Sequence, residues 1–353
     1  MFKTRISGIA VALSLLILPT VPSFVSAADE IEEVVAVGTR REARSVGDSP
    51  APVDIISGSD FTNQGAADLP DMIRTLVPSF NVNTQPISDA ATLIRPANLR
   101  GLPPDNMLVL VNGKRRHRGA VISFLGSGIS DGAQGPDISA IPSIALKQVE
   151  VLRDGAAAQY GSDAIAGIMN FVYKDNAEGT QIEIRSGEYS DGDGDMYRVA
   201  ANIGMPFTAD GFANISIELQ ESDATSRSVQ RGDAQALYDG GNAAIWNYPN
   251  PAQVWGSPDV SDDVKLVANI GLELDANKEF YLFGNYAERK VLGGFFFRNP
   301  TNRGGIFSTD GGDTRMVLDV AEATTGAART CPVVPVPASG AGSASDSALA
   351  AIM

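Results

Sequence analysis

The chain is organised around one segment, Met107-Leu108-Val109-Leu110-Val111-Asn112-Gly113. Its five consecutive apolar residues are typical of a strand that is buried on both faces. The Asn-Gly pair that follows predicts a tight turn, because both residue types tolerate the left-handed backbone that such a turn requires. A buried strand that turns back sharply implies a sheet, so partner strands are expected elsewhere in the chain.

The flanking sequence supplies short elements of both kinds. Further strands are predicted at residues 53–56, 149–152 and 168–173, the last of them after a helical turn rich in Gly and Ala. Asp68 and Pro70 predict the start of an amphipathic helix, and Pro78 predicts its end. Pro52 to about Lys174 is therefore predicted to be a β-rich α+β unit with its own core.

Beyond residue 176 apolar and polar residues alternate with period two, which predicts strands with one apolar and one polar face. In the clearest case, Val264 and Leu266 flank Lys265. The five segments with this pattern are 181–185, 197–203, 213–220, 264–274 and a looser, more aromatic 280–286. A β-sandwich produces the same alternation, so periodicity alone does not identify a membrane protein.

The connections between these segments discriminate better. They alternate in length, with longer ones at 186–195 and 221–263 and shorter ones at 205–211 and 275–278. Outer-membrane barrels have short turns on the periplasmic side and longer loops outside. The sequence therefore favours the first strands of an antiparallel transmembrane β-barrel over a sandwich.

The N-terminus predicts export. Lys3 and Arg5 precede an apolar run at residues 6–18 that ends near small residues, which predicts a signal peptide over residues 1–27 and cleavage after Ala27. A retained membrane helix needs about twenty apolar residues, and this run is shorter. We expect the mature chain in the cell outer membrane.

Composition narrows the function. The 353 residues have a formal net charge of −15, and the predicted signal peptide contains two basic residues and no acid, so nucleic acid is not an expected partner. There is one cysteine, Cys331, and one histidine, His117, and the sequence contains none of the common catalytic or nucleotide-binding motifs. We therefore expect no enzyme activity, no cofactor and no metal site.

An acidic loop, Asp191-Gly192-Asp193-Gly194-Asp195, has the spacing of a calcium loop at its start. Met196 stands where the invariant glycine of an EF-hand belongs, and Asn202 stands where the closing glutamate belongs. A plain acidic hairpin loop is the favoured interpretation.

Several motifs of the α+β unit together resemble the plug of the TonB-dependent outer-membrane receptors. The motifs are residues 98–102 (NLRGL), 108–116 (LVLVNGKRR), 141–144 (IPSI), 149–155 (VEVLRDG), 160–167 (YGSDAIAG) and 170–172 (NFV). The resemblance covers about residues 30–174 with specific motifs and continues more loosely through the strands. A set of spaced motifs is far more specific than a lone glycine signature.

The resemblance implies energised import. In the family, a scarce or bulky substrate such as an iron–siderophore complex binds outside, and the periplasmic protein TonB, driven by an inner-membrane complex, grips an N-terminal box and opens a path past the plug. The residues that match the box are Glu32, Glu33, Val34, Val35, Ala36 and Val37. A β-prone segment suits this role because backbone hydrogen bonds carry the affinity when a strand is added to a partner's sheet. An ordinary edge strand is an equally good interpretation of these residues.

The resemblance also implies a lock between plug and barrel. In the family, arginines of the motifs that match Arg100 and Arg153 form ion pairs with glutamates of the barrel wall. Arginine suits such a lock because its fork binds a carboxylate with two hydrogen bonds. Asp154 follows Arg153, where Gly-Pro is common elsewhere in the family, so the resemblance does not fix the local loop shape. Solvated charges on the plug are the alternative.

A basic run follows the Asn-Gly turn. Its candidate ligand-facing residues are Arg115, Arg116, His117 and Arg118. They could face an anionic ligand. A solvated loop, or a loop that contacts acidic residues of the lumen, is the favoured alternative.

The predicted organisation has four parts: a signal peptide (1–27), a leader with the TonB box (28–40), a plug domain (41–176) and an N-terminal part of a barrel (177–353). A lumen wide enough for a plug needs about twenty-two strands, and about five are present, so the sequence predicts a truncated receptor. Cys331 is either a free thiol or half of a disulfide. Outer-membrane lipid and a small-molecule or metal-chelate substrate are the other expected partners. A secreted β-rich binding or adhesion protein and a secreted hydrolase are the rival functions.

Overall fold

The segment around Met107 forms an inner strand of a mixed five-stranded sheet. The computed structural model describes residues 34–35, 44–45, 52–66, 68–82, 91–123, 128–208, 211–239, 256–275, 278–293, 314–316 and 333–335. The first nine strands are β1 (Val34–Val35), β2 (Arg44–Ser45), β3 (Val53–Ser57), β4 (Phe80–Val82), β5 (Ala97–Leu99), β6 (Met107–Val111), β7 (Lys114–Arg115), β8 (Leu146–Leu152) and β9 (Gly167–Tyr173). The helices among them are α1 (Gly58–Thr62), α2 (Leu69–Leu76), α3 (Ala91–Ile94) and α4 (Ala157–Tyr160).

The first sheet has the strand order β3-β8-β9-β6-β7, in which β6 and β9 run parallel and the other neighbours run antiparallel. All of β6 is buried, and so is nearly all of β9. A strand that is buried on both faces has no solvent side, which explains the nearly unbroken apolar runs. The predicted turn is confirmed, since Asn112 and Gly113 have φ angles of 47° and 73°. We refer to residues 52–174 as the α+β module.

Helix α2 forms where the amphipathic helix was predicted, and it packs on this sheet. Asp68 caps its first turn, because Oδ1 of Asp68 accepts a hydrogen bond of 3.0 Å from the backbone N–H of Asp71. Met72 and Ile73 on its apolar face are fully buried in one cluster with Val109 of β6. Burying two such side chains contributes about 1.5–3 kcal/mol each. The helix thus holds its charged N-terminus at a fixed place beside the sheet.

Gly167 begins β9 at a point of close approach between strands. Its φ angle is 143°, and a Cβ atom there would lie 2.4 Å from the carbonyl oxygen of Leu152 and 2.8 Å from Cδ2 of Leu99. Neither the backbone angle nor the space admits a side chain. Glycine is therefore required where β9 enters the sheet.

The second sheet is an antiparallel meander of five strands in sequence order. Its strands are β10 (Thr180–Gly187), β11 (Met196–Pro206), β12 (Gly211–Ser222), β13 (Asp259–Asp275) and β14 (Lys278–Leu292). All five predicted segments lie in these strands. Helix α5 (Gly232–Asp239) lies in the long connection between β12 and β13, and a separate ribbon pairs β15 (Thr314–Met316) with β16 (Val333–Pro335). Among the described helices, none is both long and apolar enough to cross a membrane.

The polarity of the second sheet is inverted relative to a soluble protein. In β12 the polar Asn214, Ser216 and Glu218 are buried, and they alternate with apolar residues that are more exposed. On the outward side, Ile184 is 72% exposed and Leu266 is 42% exposed. A β-sandwich would bury its apolar faces. We call the side toward the α+β module the polar face and the opposite side the apolar face.

Candidate functional site

Charged side chains of alternating sign form a continuous ladder across the polar face of the second sheet. The Nη1 and Nη2 atoms of Arg198 each lie 2.7 Å from a carboxylate, of Glu183 and Glu218 respectively. The ammonium of Lys265 lies 2.8 Å from the other oxygen of Glu218 and 3.3 Å from Asp263. We call this set the charge ladder: Arg185, Glu183, Arg198, Glu218, Lys265 and Asp263. Each buried charge has an opposite neighbour on the sheet itself, which burial requires.

Arg185 of β10 joins the end of this ladder to the α+β module. Its guanidinium donates to the carbonyl oxygens of Thr62 at 2.6 Å, Phe61 at 3.2 Å and Ala66 at 3.4 Å, and also to that of Gln64. These carbonyls lie at and just after the C-terminus of α1, where helical carbonyl groups lack partners. A cation is favourable there because it also complements the helix dipole. Arg185 thus serves as a C-terminal cap supplied by the sheet.

Two other arginines of the sheet reach the module in the same way. Arg198 donates to the hydroxyl of Ser143, and Arg289 of β14 donates to the carbonyl oxygen of Leu93. The side chain of Arg198 is 0% exposed. Like the contacts of Arg185, both end on neutral acceptors of the module.

Polar and aromatic contacts also join the module to the sheet. Asn269 of β13 donates to the carbonyl oxygen of Lys174 at 3.0 Å and accepts from the side chain of Asn112 at 3.2 Å. The rings of Tyr173 and Phe283 meet edge to face with centroids 6.1 Å apart. The turn after β6 and the end of β9 therefore rest directly on the sheet.

The two arginines predicted as the plug–barrel lock lie elsewhere. Nε of Arg153 lies 2.6 Å from Asp54, a neighbour within the same module. Arg100 is exposed, has a φ angle of 57°, and its backbone N–H donates to the carbonyl oxygen of Ser79. The structure thus gives Arg153 a carboxylate partner other than a barrel glutamate, and the lock on Arg100 and Arg153 stays a prediction.

The basic run after β6 is largely engaged by the chain itself. Arg115 and Arg118 both contact the carboxylate of Asp163, and Arg116 donates to the side-chain oxygen of Asn285 at 2.6 Å. His117 is exposed beside a small cavity of about 130 Å³. Three of the four candidate ligand-facing residues therefore have partners within the protein, and a ligand role for the run stays a prediction.

The TonB box lies only partly within the described residues. Val34–Val35 forms the short strand β1, which pairs antiparallel with β2. Glu32, Glu33, Ala36 and Val37 lie outside the described residues, as do the predicted signal peptide and Cys331.

The acidic loop after β10 is paired with a single arginine. Asp191 lies 3.1 Å from the guanidinium of Arg227, which also contacts Asp193. Hydrogen bonds from Arg227 hold the pKa of Asp193 below its usual range. Within the described ranges, no three potential metal-ligating side chains are grouped so that they could hold an ion. In the described structure the loop is therefore an acidic connection whose charge Arg227 compensates in part.

A cavity of about 370 Å³ separates α2 from the ends of β12 and β13. On its module side Arg95 contacts Asp68 and lies 3.1 Å from Asp71. Burial, together with the charge of Asp68, raises the pKa of Asp71 to about 6. Burial opposes ionisation of Asp68 as well, but Arg95 and hydrogen bonds from Asp71 hold the pKa of Asp68 below its usual range.

The charge ladder and the cap on α1 were not predicted. The sequence pattern places Glu218 and Lys265 on the polar side of their strands, but it does not say which residues lie opposite. Register supplies that information, since Glu218 pairs directly with Lys265 across β12 and β13. The sequence did contain one signal. In successive strands, positions on the polar face carry charged residues, and the sign of the charge alternates.

Comparison with known proteins places the module in a family. A model of the TonB-dependent receptor plug domain matches residues 45–168. The vitamin B12 transporter BtuB of Photobacterium profundum is 27% identical over 219 residues, which are 62% of this chain and 32% of the transporter. The ferric enterobactin receptor PirA of Pseudomonas aeruginosa is 31% identical over 160 residues, which are 44% of this chain and 21% of the receptor.

A solved structure has the same fold. It is a mutant of the ferric enterobactin receptor PfeA of Pseudomonas aeruginosa in complex with enterobactin, and it matches 68% of this chain and 33% of its own with 19% identity and a TM-score of 0.51. The chain thus spans a fifth to a third of the length of these relatives. The family consists of transporters and receptors and not of enzymes. Residues 45–168 thus match the plug domain of the TonB-dependent receptors, and five strands of an antiparallel sheet follow this domain in the chain.

Proposed function

We propose that this chain serves in the TonB-dependent import of a scarce nutrient, an iron–siderophore complex or another bulky substrate, across the bacterial outer membrane. The observation that carries the proposal is the inverted polarity of the second sheet, with Glu218 and Lys265 buried against the module and Leu266 turned outward. Outer-membrane lipid is the partner that suits an outward apolar face. A channel through which a hydrophilic substrate passes needs the polar lining that the inner side provides.

The proposed partner in the periplasm is TonB with its inner-membrane energising complex. The relatives include a vitamin B12 transporter and a ferric enterobactin receptor, which suggests two candidate substrate classes. The proposed contact is the box at residues 32–37, which would add to a sheet of the partner through backbone hydrogen bonds. A predicted signal peptide over residues 1–27 would deliver the mature chain to the outer membrane.

For the plug–barrel lock and for the ligand contacts, one residue of each set is the better candidate. Arg100 is exposed and free to face a wall glutamate, whereas Arg153 would first have to leave Asp54. His117 is exposed beside the small cavity and is the member of the basic run best placed to face a ligand. Arg115, Arg116 and Arg118 would have to exchange existing partners.

Editing the chromosome of the native strain tests this function. Val35→Pro removes a backbone N–H from the box, whereas Val35→Thr changes the side chain and keeps the backbone donor. We expect the proline variant to remain in the outer-membrane fraction and to lose uptake of radiolabelled cyanocobalamin or ferric enterobactin, and we expect the threonine variant to retain uptake. Recovery of the chain from the medium or the soluble periplasm would instead support the secreted binding protein. Unchanged uptake of both substrates in the proline variant would contradict the proposal.

A further inference from the structure

In the cavity between α2 and the second sheet, two buried acceptor oxygens lack a donor among the described residues. Gln220 of β12 and Asp263 of β13 face each other across the strand pair and both line the cavity. They are 6% and 3% exposed, and neither Oε1 of Gln220 nor Oδ1 of Asp263 has a hydrogen-bond partner among the described residues. Buried side-chain oxygens are nearly always bonded, so each such exception requires an explanation.

The backbone at this point is irregular. The pairing of β13 shifts register on both sides, toward β12 between Gln220 and Ser222 and toward β14 between Ser261 and Val264. Asp262, within the second shift, has a φ angle of 50°. Bulges of this kind redirect a side chain and are frequent beside binding sites.

The charges around the cavity favour a cation. Five acidic residues and three arginines line it. The arginines are already engaged: Arg95 with Asp68 and Asp71, Arg74 with Asp71, and Arg289 with the carbonyl oxygen of Leu93. Lys265 also pairs with Asp263 through the other carboxylate oxygen, so the five acidic residues still outnumber the four cations. The remaining capacity of the cavity is therefore for hydrogen-bond donors and one positive charge.

We infer that this cavity binds a primary ammonium group, which donates to Oε1 of Gln220 and Oδ1 of Asp263. An ammonium carries three donors and no acceptor, which matches two acceptors that lack donors. A bare metal ion fits less well, because no suitable group of three ligating side chains exists among the described residues. If the proposed function holds, the ammonium belongs to the imported substrate, and that assignment alone rests on the proposed function.

Equilibrium binding of methylammonium to the full chain in detergent tests the inference, with ethylene glycol as a neutral probe that also carries donors. Saturation-transfer NMR gives the affinity of each probe. We expect Asp263→Asn to weaken methylammonium binding at least about tenfold, because one nearby charge is lost. The matched control is Asp262→Asn, which removes an exposed neighbouring carboxylate that pairs with Lys290 and does not line the cavity; it should leave the affinity unchanged.

A second variant separates binding from folding. Gln220→Glu adds a negative charge at the cavity and should tighten methylammonium binding about tenfold, which a loss of structure cannot do. The inference is overturned if methylammonium fails to bind the wild-type chain, if ethylene glycol binds equally well, or if neither variant changes the affinity. Because this binding needs no energised uptake, its failure is distinguishable from failure of the proposed import.

Discussion

Arg198 of β11 and Glu218 of β12 form an ion pair of 2.7 Å that the α+β module covers completely, so that their side chains are 0% and 3% exposed. Glu218 also neutralises Lys265 at 2.8 Å. One carboxylate thus serves two buried cations. The centre of the charge ladder depends on it.

Replacing Glu218 with glutamine should strongly destabilise the chain. Removing one partner of a buried ion pair costs about 3–5 kcal/mol, because the remaining charges stay buried without compensation. Denaturant unfolding of the full chain in detergent, followed by circular dichroism, measures the free energy of unfolding. The control, Glu221→Gln, changes a partly exposed glutamate of the same strand. It should shift the free energy of unfolding by no more than about 0.5 kcal/mol. Equal effects of the two substitutions would contradict the ladder.

Replacing Arg185 with methionine should loosen α1 without removing the sheet. The substitution leaves four carbonyl groups of residues 61–66 without their shared donor. Hydrogen–deuterium exchange of peptides that cover β3 and α1 should accelerate about tenfold, which corresponds to about 1.4 kcal/mol of local stability. Lys290→Met removes an exposed cation that pairs with Asp262 and is the matched control. Unchanged exchange in the Arg185 variant would show that the cap is dispensable.

The pH dependence of stability should contain a contribution from Asp71 that falls as pH rises. Its pKa is raised to about 6, so the folded chain binds a proton that the unfolded chain has already released above pH 4. The contribution of Asp71 therefore decreases between about pH 4 and pH 6 and is constant above that range. Asp68 has the opposite effect: because its pKa is lowered in the folded chain, the stability that it contributes is lost as the pH falls below about 4.

The measurement is the difference in unfolding free energy between the wild type and Asp71→Asn across this range. Arg95 and Arg74 face the side chain of residue 71, which is a carboxyl group in the wild type and an uncharged amide in the variant. The difference should move in favour of the asparagine variant by about 1–3 kcal/mol from pH 4 to pH 7. Asp175→Asn, at an exposed carboxylate that pairs with Lys147, is the control. A flat difference for Asp71→Asn would be incompatible with the raised pKa.

Adjacent residues of β14 should differ in their access to lipid. Leu282 lies on the apolar face and is 56% exposed, whereas Phe283 packs against Tyr173 of the module. The two variants are made in a chain in which Trp246 and Trp255 are replaced by phenylalanine. Brominated lipid should quench the tryptophan fluorescence of Leu282→Trp, and it should quench the fluorescence of Phe283→Trp only a little. Equal quenching at both positions would argue against a lipid-facing sheet.

The sequence predicted the existence and type of most elements because their signals are local. The Asp68 cap, the Asn112-Gly113 turn and the period-two segments each depend on a few neighbouring residues. Strand ends were predicted less well: β13 begins at Asp259 and not at Val264, because backbone hydrogen bonds continue the ladder through polar residues and a bulge.

The site was predicted only in part, because it depends on contacts between distant residues. Arg185 lies more than a hundred positions from the carbonyl groups it caps, and nothing near it in the sequence indicates them. Arg153 finds Asp54 because β3 pairs with β8, and that pairing of distant strands is not visible in either segment alone. A family resemblance suggested a partner for Arg153, and the local topology supplied a different one.

The charge ladder determines which ion pairs would remain on the sheet if the module left the polar face. The arginines Arg185, Arg198 and Arg289 hold it through carbonyl and hydroxyl oxygens, groups whose hydrogen bonds water can replace. Glu183, Glu218 and Asp263 would stay beside their cations on the wall. For the described residues, undocking would therefore expose the polar face to water without separating opposite charges, and the module could bind the same surface again.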